Sequence, residues 1–232
     1  MKIKIYADGA DYDQMSGLYE DSLIKGFTTN PTLMKKNNIT NYKKFALKVL
    51  NRIKSKPISF EVFTDNIEEM EKQAYEIASW AKNLNIKIPI TNTKGSSTAK
   101  LIGTLTRKKI LCNVTAVFTV KQVKKVLKFI NKKDHIIFSV FAGRIADTGR
   151  DPEPIMKECK QILKNYKNAK LLWASTREVF NIIQAERSGC DIITVPNEFI
   201  GKIKIFNKSL NSFSLDTVKM FYQDALKAGF KI

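Results

Sequence analysis

One lysine lies inside a short apolar segment of the chain, where a cation is unusual. The segment is Leu84–Ile90, and Lys87 stands between two isoleucines within it. A short apolar run bounded by turn-forming residues predicts a buried strand, where an ammonium group is costly unless it has a partner or loses its proton. An amine kept dry and partly neutral is the nucleophile that forms a Schiff base with a carbonyl substrate. The alternative is a lysine at a strand end with its charged group in solvent.

Other charged side chains could complete a site for carbon–carbon bond chemistry. Glu61 also lies inside an apolar run, and a carboxylate near Lys87 would offset the cost of burying both groups and could move protons. Asp8 is a second candidate acid or base. A forked, charge-assisted grip on a phosphate group could come from Arg144, Ser175 and Arg177. Together these groups indicate chemistry on a phosphorylated ketose.

Strands and helices that alternate along the chain must position these side chains. The strands are predicted at Lys2–Ala7, Ile24–Thr28, Pro57–Val62, Leu84–Ile90, Lys109–Val114, His135–Phe141, Lys170–Ala174 and Cys190–Val195. The helices are predicted at Asp11–Ser22, Thr40–Lys54, Ile67–Leu84, Ser97–Thr106, Lys121–Lys133, Asp151–Asn165, Glu178–Ser188 and Leu215–Lys227. This pattern predicts an α/β fold, a (β/α)8 TIM barrel that forms a single domain over residues 1–232 with a C-terminal helix. The alternative, an open doubly wound sheet, would usually bring a glycine-rich loop after the first strand, which the sequence ADGAD does not provide.

In such a barrel, functional side chains lie at the carboxyl ends of the strands. Seven of the eight predicted strands end in polar or ionisable residues. These are Asp8, Thr28 with Asn30, Glu61, Lys87, Asn113 with Thr115, Ser139 with Arg144, and Ser175 with Arg177. Polar residues also mark strand ends because loops begin there, but Glu61 and Lys87 lie within their apolar runs.

The composition carries a large positive charge. The formal net charge is +18, from 40 lysines and arginines against 22 aspartates and glutamates, which is typical of many nucleic-acid-binding proteins. The basic residues are nevertheless spread along the chain, and the densest run, Lys121–Lys133, has the apolar spacing of an amphipathic helix with a solvated lysine face. We therefore expect no nucleic-acid partner, and a field that attracts anionic sugar phosphates. A basic nucleic-acid-binding protein on an inactive barrel is the alternative from another functional class.

The cysteine and histidine content of the chain argues against several kinds of structural and catalytic site. Cys112, Cys159 and Cys190 are an odd number of separated cysteines, which indicates neither a disulfide framework nor a zinc site. His135 is the only histidine, so a histidine-based triad or metal cluster is not expected. We expect no metal and no cofactor, with an amine as the electron sink.

No apolar run approaches the roughly 20 residues that cross a bilayer, and the first residues form a strand rather than a secretory signal, so we expect a cytoplasmic protein with no membrane partner.

Six sequence motifs together resemble the transaldolase family, especially its short members related to fructose-6-phosphate aldolase. They are GFTTNPTLMKK from Gly26, FEVF from Phe60, IKIPIT from Ile86, CNVTAVFT from Cys112, FSVFAGRIADTGRDP from Phe138 and WASTRE from Trp173. They follow the family's order from the second strand to the seventh. The resemblance covers essentially the whole chain, and TTNPT, KIPIT and CNVT are highly specific in combination.

The resemblance implies catalytic roles for four residues. Lys87 would form the Schiff base with the C2 carbonyl of a ketose, and Asp8 would take the proton from its C4 hydroxyl during cleavage. Glu61 and Thr115 would hold a water molecule that shuttles protons during imine formation and hydrolysis.

The resemblance also implies which residues bind the substrate. Thr28 would help to orient Asp8 and the substrate. The dihydroxyacetone unit on the lysine would be hydrogen-bonded by Asn30, Asn113 and Ser139, and the phosphate would be bound by Arg144, Ser175 and Arg177.

Two positions distinguish a transferase from a lyase within the family. The aldolase branch has a glutamine and a tyrosine where this chain has Glu61 and Phe141, which match the transaldolase pattern. The expected reaction moves a dihydroxyacetone unit from sedoheptulose 7-phosphate or fructose 6-phosphate to glyceraldehyde 3-phosphate or erythrose 4-phosphate, as in the pentose phosphate pathway. A lyase that releases free dihydroxyacetone is the alternative. The chain departs from the family at ADGAD, at Thr91–Lys94 and at Thr176, which bears on substrate preference.

The resemblance further implies a homo-oligomer. Short family members form pentameric rings, often paired as decamers, with the C-terminal helix packed on a neighbour. Residues Leu215–Ile232 would serve that role here. The alternative is that this helix covers its own barrel.

Overall fold

The computed structural model describes residues 1–231 and forms a closed barrel. Eight parallel strands follow one another around it in sequence order, and the last strand pairs with the first. The predicted (β/α)8 fold is therefore confirmed. The strands are β1 (Lys4–Asp8), β2 (Ile24–Thr28), β3 (Ile58–Glu61), β4 (Leu84–Pro89), β5 (Cys112–Val117), β6 (Ile136–Val140), β7 (Ala169–Trp173) and β8 (Ile192–Pro196).

Helices surround the barrel and join its strands. They are α1 (Tyr12–Glu20), α2 (Pro31–Lys36), α3 (Tyr42–Arg52), α4 (Ile67–Ala78), α5 (Ala99–Arg107), α6 (Val120–Leu127), α7 (Ala142–Ala146), α8 (Glu153–Leu163), α9 (Asn181–Arg187), α10 (Asn197–Ile200) and α11 (Leu210–Ala228). A 3₁₀ helix, Gly201–Ile205, separates the last two.

Several boundaries differ from the sequence prediction for local reasons. β5 begins at Cys112 rather than Lys109, because Lys109 has a φ of 63° and belongs to a turn. α6 ends at Leu127 rather than Lys133. The residues after it include a turn in which the Asn131 amide donates a hydrogen bond to the Asp134 carboxylate. Helices α2 and α7 were not predicted, because six and five residues are too few to show a helical period.

The strands alternate between an outer and an inner face. Outward-facing residues such as Phe60, Ile86 and Phe138 are at most 1% exposed and pack beneath the helices in the main core. A second, smaller apolar cluster inside the barrel is formed by Tyr6, Ile137, Leu172, Ala174 and Ile192. Other inward positions, such as Ser59, Asn113 and Ser139, are polar, so the barrel interior can hold a chemical site.

Glycine at one strand position makes room inside the barrel. A Cβ atom added at Gly26 of β2 would lie 2.6 Å from the ring of Tyr6 on β1, which is closer than real contacts allow. The missing side chain therefore lets the aromatic ring occupy the barrel interior.

The last helix, α11, carries many apolar side chains but buries none of its residues. Val218 is 60% exposed and Phe221 is 63% exposed. The helix therefore does not use these side chains to cover its own barrel. Within residues 1–231, no helix is both long enough and apolar enough to cross a membrane.

Candidate active site

Lys87 lies near the carboxyl end of β4, with its side chain in the mouth of the barrel. Its Nζ is 2.9 Å from Oε2 of Glu61 and donates a hydrogen bond of 2.8 Å to the carbonyl of Thr29. The parallel register sets Glu61 of β3 directly beside Lys87. Because the lysine is only 6% exposed, its charged group does not lie in solvent.

The contacts of Lys87 favour its protonated form, so a proton must be lost before the amine can act as a nucleophile. A carboxylate and a carbonyl both stabilise the ammonium form, and a buried ammonium without them would be costly. To attack a carbonyl carbon, the Lys87 amine must first give up a proton, and Glu61 is a carboxylate already within hydrogen-bond distance. The pair therefore holds a nucleophile beside its own proton acceptor.

Tyr42 fixes the backbone on which Glu61 stands. Its phenol donates a hydrogen bond of 2.7 Å to the Glu61 carbonyl and accepts one of 2.9 Å from the Glu61 amide. Burial raises the pKa of Tyr42, so the phenol stays protonated and can donate. The sequence did not single out this residue, because its partner is backbone and leaves no spacing signal.

Asp8 ends β1 and faces the same cavity as Lys87. Oγ1 of Thr28 donates a hydrogen bond of 2.7 Å to Oδ1 of Asp8, and the Thr28 hydroxyl also meets the hydroxyl of Thr194. Burial raises the pKa of Asp8; the Lys87 ammonium and the Thr28 hydrogen bond oppose that rise, and the Glu61 carboxylate adds to it. Asp8 is thus a carboxyl group that binds protons more readily than an ordinary aspartate.

A row of hydrogen-bonded side chains crosses the barrel interior between β3 and β6. Oγ of Ser139 donates to Oδ1 of Asn113 at 2.6 Å, and Nδ2 of Asn113 donates to Oγ of Ser59 at 3.1 Å. Asn113 is fully buried and does not line the cavity, whereas Ser139 does. Direct contact of Asn113 with substrate stays a prediction, while its hold on Ser139 is observed. Ser59 was not predicted as a site residue. The alternation of side chains along a strand could have identified it, because Ser59 stands two residues before Glu61 and so shares its face of β3.

Two of the predicted polar residues retain unused hydrogen-bonding capacity at the cavity. Oγ1 of Thr115 is buried and has no hydrogen-bond partner within residues 1–231. Oδ1 of Asn30 caps α2 by accepting from the Leu33 amide at 3.0 Å, which leaves its NH₂ group available as a donor. Because buried polar groups are normally paired, the Thr115 hydroxyl is a hydrogen-bonding group that the folded chain leaves unused, and its predicted role in holding a water molecule stays a prediction.

Arg177 is oriented by an acidic partner. Its Nε donates a hydrogen bond of 2.9 Å to Oδ1 of Asp147, and its Nη2 also binds that carboxylate. The pairing raises the pKa of Arg177 and lowers that of Asp147. One edge of the guanidinium is therefore held, and Nη1 remains beside the Ser175 carbonyl, 3.4 Å away. The sequence did not predict Asp147, since a carboxylate in a basic loop matches no phosphate-binding pattern.

A close backbone contact brings the two arginine-bearing segments together. Ser175 has a φ of 67°, a conformation that is strained for a residue with a side chain. A Cβ atom at Gly143 would lie 1.6 Å from the Ser175 carbonyl oxygen, so only glycine fits there. This contact sets Arg144 of α7 beside Ser175 and Arg177 after β7.

The predicted site residues converge on one cavity of about 560 Å³ at the carboxyl end of the barrel. Every one of them except Asn113 lines it. Phe141 forms part of its wall, packs against Phe118 with ring centres 5.9 Å apart, and has the Arg144 guanidinium 6.0 Å from its ring. Phe118 was not predicted. In the described part of the chain, no group of three or more His, Cys, Asp or Glu side chains is arranged to hold a metal ion.

Known relatives match this chain along most of its length. A protein of Caldicellulosiruptor saccharolyticus named "Probable transaldolase" is 33% identical over 196 residues, which cover 84% of this chain and 86% of the relative. "Probable transaldolase 2" of Listeria monocytogenes is 30% identical over 218 residues, covering 92% and 95%. "Probable transaldolase" of Methanococcus maripaludis is 30% identical over 215 residues, covering 92% and 94%.

A solved structure and a family pattern complete the comparison. The structure described as "Native KDPGal structure" has a TM-score of 0.54 and 10% identity, and the match covers 84% of this chain and 82% of that one. At this identity the likeness supports the barrel fold alone. The pattern of the Transaldolase/Fructose-6-phosphate aldolase family matches residues 5–232. The resemblance predicted from the six motifs is thus confirmed, and the chain belongs to the Transaldolase/Fructose-6-phosphate aldolase family.

Proposed function

We propose that this transaldolase-family enzyme is a transaldolase that forms a Schiff base at Lys87. Its substrates would be sugar phosphates: it would move a dihydroxyacetone unit from sedoheptulose 7-phosphate to glyceraldehyde 3-phosphate, giving erythrose 4-phosphate and fructose 6-phosphate. The observation that carries this proposal is the buried pair of Lys87 and Glu61, 2.9 Å apart, in one cavity with Asp8. An amine, a proton acceptor and a second carboxyl group are the parts that this chemistry needs.

The reaction begins when the Lys87 amine attacks the C2 carbonyl of the ketose. The adduct loses its C2 oxygen as water and becomes an iminium ion, with protons carried by Glu61 and by a water held at Thr115. Asp8 takes the C4 hydroxyl proton while the C3–C4 bond breaks. The electron pair of that bond moves into the iminium to give an enamine, and the shortened aldose phosphate leaves.

The second half of the reaction reverses these steps on a new aldehyde. The enamine carbon attacks the aldehyde carbon of the acceptor, and Asp8 returns its proton to the new hydroxyl. Water then hydrolyses the iminium and frees the amine of Lys87. Transfer requires that the enamine wait for an acceptor, and Phe141, which lines the cavity, has no hydroxyl with which to help water release the three-carbon unit.

Product analysis without an acceptor tests transfer against cleavage. With fructose 6-phosphate alone, a transferase releases at most one equivalent of glyceraldehyde 3-phosphate per subunit, and Phe141→Tyr gives a matched variant with the missing hydroxyl. Rapid multiple turnover by the unmodified enzyme would instead identify a lyase that releases free dihydroxyacetone. No aldehyde at all, together with salt-sensitive binding to DNA or RNA, would favour a nucleic-acid-binding protein.

The pH dependence of cleavage should report the environment of Asp8. Asp8 accepts the C4 hydroxyl proton only when it is ionised. Because burial raises the pKa of Asp8, we expect the acid limb of kcat/KM at a higher pH than the pKa of about 3.9 that is usual for aspartate. Thr28→Val removes a hydrogen bond that lowers the pKa of Asp8, and we expect the limb to move to higher pH. Thr194→Val is the control, because Thr194 hydrogen-bonds Thr28 and, within residues 1–231, forms no side-chain hydrogen bond with Asp8. A limb that stays in place in Thr28→Val would remove Asp8 from this role.

Removing Arg177 should weaken the binding of phosphorylated substrates. Arg177→Ala loses charged hydrogen bonds to the phosphate, which we expect to raise KM by about 2 kcal/mol, or roughly 30-fold, with a smaller effect on kcat. Arg150→Ala is the control, since Arg150 is a nearby exposed arginine that does not line the cavity. An unchanged KM for fructose 6-phosphate in Arg177→Ala would exclude Arg177 from the phosphate site.

We also propose that α11 packs on a second copy of the chain in a homo-oligomer, such as a pentamer or decamer. The exposed apolar side chains of α11 support this assignment, because a soluble monomer rarely leaves such a face uncovered. Val218→Lys combined with Phe221→Lys should lower the mass measured by sedimentation to that of smaller species. Lys219→Glu, on the same helix, is a control for changed charge. An unchanged mass in the double variant would place the contacts between copies elsewhere.

The cysteines support a cytoplasmic setting for this chemistry. Cys112, Cys159 and Cys190 are buried free thiols, as is usual in a reducing compartment. Burial raises the pKa of each thiol, to about 12 for Cys112 and Cys159, so they stay protonated and inert. Cell fractionation would test this location, and recovery outside the cytoplasm would contradict it.

A further inference from the structure

A second cavity opens at the amino-terminal end of the barrel, opposite the candidate active site. Its volume is about 730 Å³, within the range of sites that enclose small molecules. Its walls include apolar residues near the starts of the strands, among them Ile3, Leu111, Ile136 and Ile192. None of the residues assigned to the proposed reaction lines this cavity.

Two buried polar side chains line this amino-terminal cavity without hydrogen-bond partners. Tyr6 is 6% exposed and Asn85 is 8% exposed. The side-chain hydrogen bonds of the barrel interior lie nearer its other end, and within residues 1–231 none involves the Tyr6 phenol or the Asn85 carboxamide. The polar atoms of both side chains are not enclosed by protein and open onto the cavity, so a ligand in the cavity would meet a hydrogen-bonding group at each of them.

The strand register explains why both groups point inward. Side chains two residues apart on a strand share a face. Tyr6 stands two residues before Asp8 on β1, and Asn85 stands two residues before Lys87 on β4. The two groups therefore form an inward-facing layer between the amino-terminal cavity and the candidate active site. Burial raises the pKa of Tyr6 to about 12, so its phenol stays neutral and can donate a hydrogen bond.

Positive side chains outnumber carboxylates around this cavity. Lys2 and Lys4 line it, and within residues 1–231 neither side-chain amine forms an ion pair. Two carboxylates also line it: Asp191 pairs with Lys160 at 2.7 Å, whereas Glu186 accepts from the neutral backbone amide of Lys2 and keeps its charge. With Lys170, the lining lysines number three against these two carboxylates. The cavity entrance should therefore attract an anionic group.

We propose that the amino-terminal cavity binds a small phosphorylated organic molecule of about mononucleotide size. The phosphate lies at Lys2 and Lys4, and the body of the ligand lies between the apolar walls. A polar head group meets Asn85 and Tyr6. The Asn85 carboxamide offers a donor and an acceptor side by side, which matches the edge of a nucleobase or an amide.

Calorimetric titration with adenosine 5′-monophosphate and with adenosine tests this site. The titrations use the full chain carrying Arg144→Ala and Arg177→Ala, so that the proposed phosphate site at the other end of the barrel does not contribute. We expect the monophosphate to bind more tightly than adenosine. Adding Lys4→Gln should weaken the monophosphate by roughly tenfold and leave adenosine unchanged. Adding Asn85→Leu should weaken both ligands by at least roughly tenfold.

Two controls separate this site from trivial outcomes. Lys121→Gln removes an exposed lysine of α6 and should leave both affinities unchanged. Tyr6→Phe removes only the phenolic oxygen. It takes the place of Asn85→Leu as the test variant if Asn85→Leu lowers the thermal unfolding midpoint. Absence of heat with either ligand at millimolar concentration would overturn the proposal. Binding to the chain carrying Arg144→Ala and Arg177→Ala that neither Lys4→Gln nor Asn85→Leu weakens would also overturn it. So would binding that is seen only when the unmodified chain is titrated in parallel, because the ligand would then occupy the candidate active site.

Discussion

Replacing Lys87 with alanine abolishes turnover and leaves no substrate attached after borohydride reduction. Within residues 1–231, the side chain removed is the only lysine that lines the carboxyl-end cavity, so no other amine among them can form the imine there. Loss of the covalent nucleophile should lower the rate of aldehyde release by on the order of 10⁶-fold. The measurements are release of glyceraldehyde 3-phosphate from fructose 6-phosphate, and mass mapping of peptides after reduction with borohydride.

Two comparisons make the result specific to the position of this amine. Lys121→Ala removes a solvent-exposed lysine and should trap substrate as fully as the unmodified chain. The trapped mass in that variant should map to the peptide that contains Lys87. Trapping of an equal amount of substrate at another lysine in Lys87→Ala would show that the nucleophile was assigned wrongly. Loss of trapping with retained turnover would instead exclude an imine mechanism.

The barrel could be predicted because each strand is marked twice in the sequence. A short apolar run defines its body, and a polar residue or a proline marks where it ends, as Leu84–Ile90 illustrates against the observed strand Leu84–Pro89. The prediction failed where backbone conformation departs from the pattern. Lys109 belongs to an apolar-looking run but has a positive φ, so the strand there begins three residues later. Such a turn depends on a single dihedral angle, which periodicity does not record.

The site could be predicted to the extent that its residues act through side chains at strand ends. The residues that were missed act on other residues instead. Tyr42 holds the backbone of Glu61, and Asp147 orients the guanidinium of Arg177. Their partners lie 19 and 30 residues away in sequence, so only the folded chain brings them together. The amino-terminal cavity was missed for a related reason, since Asn85 reads as one polar residue within an apolar strand.

Breaking the pair of Lys87 and Glu61 on one side should destabilise the fold more than removing both charges. Glu61→Gln leaves a buried ammonium group without its carboxylate, which we expect to lower the free energy of unfolding by about 3 kcal/mol. Adding Lys87→Met removes that charge with little change in volume, and should recover most of the loss. Urea denaturation of the two single variants, the double variant and the unmodified chain gives the coupling energy directly.

An exposed pair in the same molecule provides the matched control. Lys43 and Glu76 are 2.6 Å apart, closer than Lys87 and Glu61, but their side chains are 58% and 54% exposed. Solvent screening should hold the coupling of the exposed pair below about 1 kcal/mol, whereas that of the buried pair should exceed it because both of its charges are largely removed from water. Equal coupling in the two cycles would mean that Lys87 is effectively solvated. A solvated ammonium group could pass its proton to bases in the solvent, and Glu61 would then no longer be required as its proton acceptor. A larger coupling for the buried pair would instead show that the charge on Lys87 stabilises the barrel mouth. The same charge must be lost before the amine can react.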